Sequence, residues 1–379
     1  MIKKLLIFLF RMMPLGDDII LESHPAFSDN TWALYRYMLE QGINKRHRIH
    51  WALYDVMEKP DELPENVDTF FLNPKGFRQM WKRFYVLYRS RYIIDCNAYI
   101  HKRRKGQYRL HLGHGMLIKI TPDYHRAEKI GECDGFLVTS PFWFSVFSGK
   151  IGLPQSCLLP LGYPRNDIFA DEEKQTNCLG RYLMWLPTYR QHRQHPEQHL
   201  AESFPYGMPE LQTKEQLTAL NEVLAQNNLV LFFRPHPVQD LSGLQKEALS
   251  HIRLADDHFL AQHGLSLYEM LAGAQALITD YSSVYYDFLL TERAIGLTIK
   301  DRDSYFEYYG CPFENFKENV QGFYIESYED VITFVKEVAA GHVPKQEEIR
   351  EMKKRYHSYT DGHASERIYQ YMKENWVNL

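Results

Sequence analysis

The stretch Leu277-Ile-Thr-Asp-Tyr-Ser-Ser-Val-Tyr-Tyr-Asp287 runs an apolar segment into a polar turn, and Ser282 and Ser283 then open an aromatic-rich helix. Two hydroxyls and the unpaired amides of a helix start, at the positive end of its dipole, form a place that binds phosphate. Asp280 and Asp287 flank the turn, where either could reach a sugar hydroxyl. An ordinary Asp/Ser helix cap gives the same pattern, so the other chemistry-bearing segments have to decide. His114 lies between Gly113 and Gly115, and Lys119 follows five residues on. The glycines leave the imidazole uncovered and let a ligand approach the backbone closely at Gly115. An exposed, near-neutral His can take a proton from a hydroxyl at physiological pH. In Arg234-Pro-His-Pro237 two prolines stiffen the turn and aim His236; with Arg234 beside it, this suits a diphosphate whose charge must be met as a bond to phosphorus breaks. Pro187-Thr-Tyr-Arg190, with Thr188 and Arg190, is a weaker signal of the same type.

Short apolar runs alternate with helical patterns, which predicts parallel α/β units. Strands are expected at 18–22, 48–53, 69–72, 91–95, 108–112, 135–139 and 158–161, then at 182–186, 228–233, 276–278 and 294–299. Ser28-Asp29-Asn30 is expected to cap a helix, and further helices are expected over 77–88, 266–272, 328–339 and 345–378. The polar stretch 167–180 reads as a connection between two domains. The expected division is a domain over 17–170, a second over 176–345, and terminal helices over 346–379 that could pack back on the first. His114, Ser140, Arg165, Arg190, His236 and Ser282 each fall just past a predicted strand, the end at which open α/β sheets bind ligands. Two such sheets facing across a cleft would turn all six toward one cavity.

The chain has 379 residues, enough for two domains. Apolar residues make up 45%, so large cores are expected and disorder is not. The net charge of −4 argues against a nucleic-acid binder that relies on phosphate attraction. Five dispersed cysteines, without a Cys-x-x-Cys pair, read as reduced thiols in a cytoplasmic protein. His192, His195 and His199 lack a joining acidic or cysteine ligand, so no metal site is assigned and a divalent-metal requirement stays open. The segment Met1 to Met13 is too short to span a bilayer. It reads either as a helix packed on the body or, with Lys3, Lys4 and Arg11 bracketing the apolar run, as a basic amphipathic helix on a membrane surface, within 1–16. The basic run His101 to Lys105 reads as a solvated loop or as a contact for an anionic acceptor or lipid head groups.

The ordered set Glu22-Ser23…Ser28-Asp29-Asn30, His114-Gly-x-x-x-Lys119, Gly162-Tyr-Pro-Arg-Asn-Asp167, Leu186-Pro-Thr-Tyr-Arg190, Arg234-Pro-His-Pro237 and Thr279-Asp-Tyr-Ser-Ser283…Asp287 resembles the CDP-glycerol:poly(glycerophosphate) glycerophosphotransferase family over residues 18 to 340. The resemblance implies a GT-B fold of two Rossmann-like domains, the C-terminal one holding the nucleotide. It implies transfer of a polyol phosphate from a CDP-activated donor (CDP-glycerol or CDP-ribitol) to a hydroxyl of a lipid-linked, polymer or oligosaccharide acceptor, with release of CMP, at the inner face of the bacterial membrane. It makes His114 the base, and gives His236, Ser282 and Ser283 the donor diphosphate. Arg234, Asp280, Asp287, Thr188 and Arg190 are expected on the donor side, and Lys119, Arg165 and Gly115 on the acceptor side. The family usually reads Trp-His-Gly-Thr-Pro-Leu-Lys where this chain has Gly113-His-Gly-Met-Leu-Ile-Lys119, a difference on the presumed acceptor side. Competing expectations are a nucleotide-sugar GT-B glycosyltransferase or epimerase, and an inactive membrane-associated scaffold.

Overall fold

The computed structural model describes residues 2–55, 62–120, 130–171, 179–188, 205–208, 210–235, 244, 247 and 249–379. The chain divides into two compact units, Met1–Met116 with Asp123–Asp167 and Ser358–Leu379, and Leu117–Pro122 with Ile168–His357. It therefore passes between units at Met116/Leu117, Pro122/Asp123, Asp167/Ile168 and His357/Ser358. Each unit is an α/β layer structure on a parallel sheet, and the fold class is GT-B.

In the first unit, helix α1 (Ile2–Met12) precedes β1 (Gly16–Glu22), α2 (Asp29–Glu40), β2 (Ile49–Leu53), β3 (Val67–Phe71), α3 (Phe77–Arg89), β4 (Ser90–Asp95) and β5 (Tyr108–His111). The short strands β6 (Gly135–Leu137) and β7 (Leu158–Leu159) flank helix α4 (Trp143–Ile151). The order β3-β2-β1-β4-β5-β6-β7 puts β1 in the interior of the sheet. Its apolar residues Ile19, Ile20 and Leu21 are fully buried, as a strand covered on both faces requires. Ser28 does not cap α2 through its side chain; its hydroxyl donates to Pro25 O at 2.6 Å.

Two expectations about charged and apolar segments resolve in this unit. Helix α1 packs on the body through Phe10, whose ring lies 5.0 Å from Trp81 on α3, while Phe8, Leu9 and Met12 stay exposed. In the basic run Arg104 and Lys102 are engaged by the body, while Lys105 is exposed. Arg104 donates to Met13 O at 2.6 Å and to Phe10 O and Tyr88 O at 3.3 Å, tying α1 to the end of α3. Lys102 pairs with Asp134 at 3.0 Å and Glu132 at 3.3 Å.

The second unit builds the sheet β10-β9-β8-β11-β12-β13 from β8 (Tyr182–Leu186), β9 (Val230–Phe233), β10 (Ile252–Leu254), β11 (Ala276–Thr279), β12 (Ala294–Leu297) and β13 (Phe323–Tyr324). Every residue of β8, β11 and β12 is buried. Helix starts are set by sequence: Thr213 with Gln216, Ser266 with Glu269 and Ser327 with Asp330 form reciprocal capping boxes on α5 (Lys214–Gln226), α7 (Leu267–Gly273) and α11 (Tyr328–Ala339). Between these lie α6 (Asp257–His263), α8 (Val284–Phe288), α9 (Arg302–Tyr308) and α10 (Phe316–Asn319). The predicted helix over 345–378 is two helices, α12 (Gln346–Tyr356) in the second unit and α13 (Ala364–Asn375) in the first. Among the described residues no helix is long and apolar enough to cross a membrane.

Candidate functional site

At the carboxyl end of the first sheet, His114 sits three residues beyond β5 and keeps an exposed face. Its loop is built to hold that position. Gly113 has φ +64°, and a Cβ there would meet the Tyr163 hydroxyl at 3.2 Å, so the turn needs glycine. Asn30 Nδ2 donates to Gly113 O at 3.0 Å, and Arg165 Nη1 donates to His114 O at 3.0 Å. The same Nη1 meets Asp29 Oδ1 at 2.6 Å. His114 Nδ1 lies 3.4 Å from Cys96 O; the tautomer with its proton on Nδ1 makes that contact and leaves the ring lone pair on Nε2. Crowding at the strand end pushes the His114 pKa below its ordinary value, aided by His111 and Arg165 and opposed by Asp29 and the Cys96 carbonyl. The imidazole is thus neutral at neutral pH, the form a general base needs.

Arg165, expected to bind acceptor, is a nearly buried clamp between α2 and the His114 loop. Asp167 of the same Gly-Tyr-Pro-Arg-Asn-Asp segment accepts from Ala364 N at 2.7 Å and Ser365 N at 2.9 Å, capping α13. That segment works as scaffold. Ser140 is buried as well.

At the ends of adjacent strands by His114 runs a row of ionisable side chains to which the sequence reading gave no chemical role. Glu22, Asp95 and His111 end β1, β4 and β5 in register, Glu22 against Asp95 and Asp95 against His111. Asp95 accepts from Arg109 Nε at 3.1 Å and Nη2 at 2.7 Å, both side chains fully buried, with His111 Nδ1 3.2 Å away. Burial pushes the Asp95 carboxyl up, but Arg109 and His111 outweigh it and hold it well below the usual carboxylate range. Glu22 has no such cation. Burial and the Asp95 charge push its pKa up to about 7, against hydrogen bonds from the Tyr54 hydroxyl at 2.5 Å and Asn97 N at 3.0 Å. Glu22 stood within a recognised motif, which is the one signal that could have drawn attention to it.

At the carboxyl end of the second sheet, Ser282 and Ser283 are half-buried at the entrance to α8. That helix has five residues and passes into a 3-10 turn over Leu289–Thr291, so local amides and hydroxyls rather than a long dipole mark the place. Asp280 does not present its carboxylate to a ligand: it is fully buried, and both oxygens accept from Thr188 N at 2.9 Å. This bond ties the turn after β8 to the turn after β11. Asp287 is buried too and accepts from the Tyr268 hydroxyl at 2.7 Å. Arg234 braces its own unit, donating to Ala255 O and Asp257 Oδ1, each at 2.6 Å. Lys119, expected beside the acceptor, belongs to the second unit, where Nζ donates to the Tyr305 hydroxyl at 2.8 Å. His236, Arg190 and the histidines 192, 195 and 199 lie outside the described residues.

The comparisons with known proteins bear on this arrangement. The sequence matches the family described as CDP-glycerol:poly(glycerophosphate) glycerophosphotransferase over residues 5–374. It is 25% identical to a teichoic acid ribitol-phosphate primase of Bacillus spizizenii, over 62% of this chain and 58% of that protein, so this match spans less than two thirds of the relative. It is 23% identical to a teichoic acid glycerol-phosphate primase of Bacillus subtilis, over 83% of this chain and 81% of that one. A teichoic acid glycerol-phosphate transferase of Staphylococcus aureus is 22% identical over 91% of this chain and 89% of its own length. Among solved structures, the wall teichoic acid polymerase TagF superposes with a TM-score of 0.72 at 18% identity, covering 98% of this chain and 92% of that one. A putative UDP-N-acetylglucosamine 2-epimerase from Listeria monocytogenes shares the fold at a TM-score of 0.54 and 10% identity, covering 96% and 98%. Fold alone therefore does not select the chemistry, whereas the match across nearly the whole sequence does: the chain belongs to the CDP-glycerol:poly(glycerophosphate) glycerophosphotransferase family.

Proposed function

We propose that the protein transfers a polyol phosphate, glycerol phosphate foremost, from a CDP-activated donor to an acceptor hydroxyl in the synthesis of a teichoic-acid-like or capsular polymer. An acceptor oxygen attacks the phosphorus that carries the polyol, and a new P–O bond forms as the bond to CMP breaks. His114 Nε2 takes the hydroxyl proton, and CMP leaves with the bonding electrons. Ser282 and Ser283, with His236, are assigned to the donor diphosphate. The observation that carries this reading is His114 itself, an exposed imidazole with a lowered pKa at a strand end, its loop fixed by Asn30 and Arg165 through the Gly113 and His114 carbonyls. CDP-glycerol, CDP-ribitol and UDP-sugars, each supplied with a lipid-linked or oligosaccharide acceptor, test it. CMP release from a CDP-polyol alone is expected; release of UDP alone would replace this reading with the nucleotide-sugar one.

A peripheral place on the inner face of the membrane is part of the proposal. Phe8, Leu9 and Met12 on α1 and Phe77 and Trp81 on α3 are exposed, beside the exposed cations Arg11 and Arg78. Apolar rings rimmed by cations suit an anionic lipid surface. A lipid-linked acceptor would be met there.

A further inference from the structure

We infer that Glu22 is a positioning residue for the base: its carboxylate grips the peptide between Cys96 and Asn97 by the N–H, and the carbonyl of that same peptide holds the His114 ring. The inference rests on the proposed role of His114 in CDP-polyol chemistry.

The contacts all lie within the first unit. Strands β1 and β4 run side by side with Glu22 opposite Asp95, and the ladder closes where Cys96 N donates to Glu22 O at 3.1 Å. The next amide turns to the side chain: Asn97 N donates to Glu22 Oε2 at 3.0 Å. The carbonyl of that peptide, Cys96 O, lies 3.4 Å from His114 Nδ1. A carbonyl only accepts, so the contact selects the tautomer with its proton on Nδ1. Both flanks of the peptide are tied. Cys96 is fully buried with its Sγ 2.9 Å from Thr31 Oγ1, and Thr31 Oγ1 donates to Glu22 O at 2.9 Å. On the other side Asn97 Oδ1 accepts from His24 N at 2.9 Å.

An amide is conjugated from nitrogen to oxygen, so a charge at its N–H is felt at its carbonyl. A carboxylate on the Asn97 N–H leaves more negative charge on Cys96 O, and hydrogen bonds in such a chain strengthen one another. The stronger acceptor fixes the Nδ1 proton and makes Nε2 the better base. A carboxylate does the same directly where it touches an imidazole. Glu22 is fully buried, and its oxygens are met by neutral donors, the Tyr54 hydroxyl at 2.5 Å and Asn97 N. A charge so placed costs stability when it forms, the mark of a group set there for chemistry.

Burial and the Asp95 charge, opposed by Tyr54 and the amides, put the Glu22 pKa at about 7, so its charge appears as pH rises through neutrality. Arg109 and the Cys96 thiol also face Glu22, and His24 packs on the Tyr54 ring. Asp29, Arg165 and His111 face His114.

The test combines the pH dependence of CMP release, calorimetric binding of CDP-glycerol, and nitrogen NMR spectra of the full-length protein isotopically labelled at histidine. The His114 signals are those lost in His114→Ala. In the wild type kcat/KM should rise in two steps, one set by His114 below pH 6.5 and a second near pH 7 as Glu22 ionises. Glu22→Gln keeps the shape of the side chain and removes the charge. It is expected to abolish the second step, and at about pH 8 to lie roughly ten-fold below the wild type, the scale of one charge-assisted hydrogen bond. It should bind CDP-glycerol as before. At the same pH its His114 spectrum should move from the Nδ1–H form toward the Nε2–H form. Glu22→Asp keeps the charge but draws it one methylene back from Asn97 N, and should fall with the Gln variant. Should neither fold, Tyr54→Phe removes a hydroxyl that lowers the Glu22 pKa, and the second step should move to higher pH. Wild-type activity and an unmoved His114 spectrum in Glu22→Gln, an Asp variant as active as the wild type, or a second step that stays in place in Tyr54→Phe each overturn the inference. Wild-type protein that releases no CMP from CDP-glycerol overturns the functional reading, and the nitrogen spectra then decide the hold of Glu22 on His114 by themselves.

Discussion

The two sheet ends place their chemistry on different foundations. Under His114 lies a buried ionic row, Glu22, Asp95 and His111 with Arg109, fixed by register across three adjacent strands. Around Ser282 lies a stack of aromatic rings, Tyr281 on Tyr305 and Tyr305 against Tyr309, with a single lysine over them. A group that must gain and lose a proton benefits from neighbours whose charges tune it. A turn that must hold an anion benefits from rigid, neutral walls that keep its donors in place. The difference matches the proposed division, with proton transfer at one unit and anion binding at the other.

That contrast can be broken by substitution. Loss of the base gives the largest expected effect: His114→Ala should lower turnover on the order of 10²–10⁴-fold in a CMP-release assay while CDP-glycerol still binds. Removing the cation from the ionic row comes next. Arg109→Met leaves Asp95 charged and uncompensated in the interior, and thermal or denaturant unfolding should show a loss of about 3–5 kcal/mol. Tyr281 carries no such charge, so Tyr281→Phe, which keeps the ring and deletes the bond to Asp301, should cost about 0.5–1.5 kcal/mol in the same measurement.

Acidity separates the two ends further. Glu22 has a folded pKa of about 7, above its ordinary 4.5. A carboxyl with a raised folded pKa contributes stability that is complete below the unfolded value and is lost as pH rises through the folded one. The wild type should therefore lose stability relative to Glu22→Gln between about pH 4.5 and 7, by about 1–3 kcal/mol, and the gap should stop growing above that window. Unfolding curves of the two proteins at several pH values check the sign. The kinetic counterpart is the acid limb of kcat/KM. Because the His114 pKa is lowered, that limb should fall below pH 6.5, and Asp29→Asn, which removes an upward pull, should move it lower still.

Much of this could be read before the structure was known. The apolar runs of β8, β9 and β11, and the placing of His114 and Ser282 just past strands, follow from pattern alone. The strands β10 and β13, of three and two residues, are too short to carry a period. The break between α12 and α13 was missed, although Asp361-Gly362, where Gly362 takes φ +73°, carried a signal for it. Partners over long separations were not legible. Arg165 reaches Asp29 across 136 positions and Asp280 reaches Thr188 across 92. Both were expected to bind ligand, because a charged residue at a strand end looks the same in sequence whether it faces substrate or a distant loop. The unit to which Lys119 belongs was hidden for a related reason: five residues separate it from His114, and the chain changes unit between them.

The account turns on a neutral His114 acting on a CDP-activated polyol. A single-turnover experiment with labelled CDP-glycerol and a lipid-linked acceptor, wild type beside His114→Ala, tests it most directly. The expected result is an acceptor heavier by one glycerol phosphate together with CMP from the wild type, and a bound but unconsumed donor in the variant. Equal product from both proteins would contradict it.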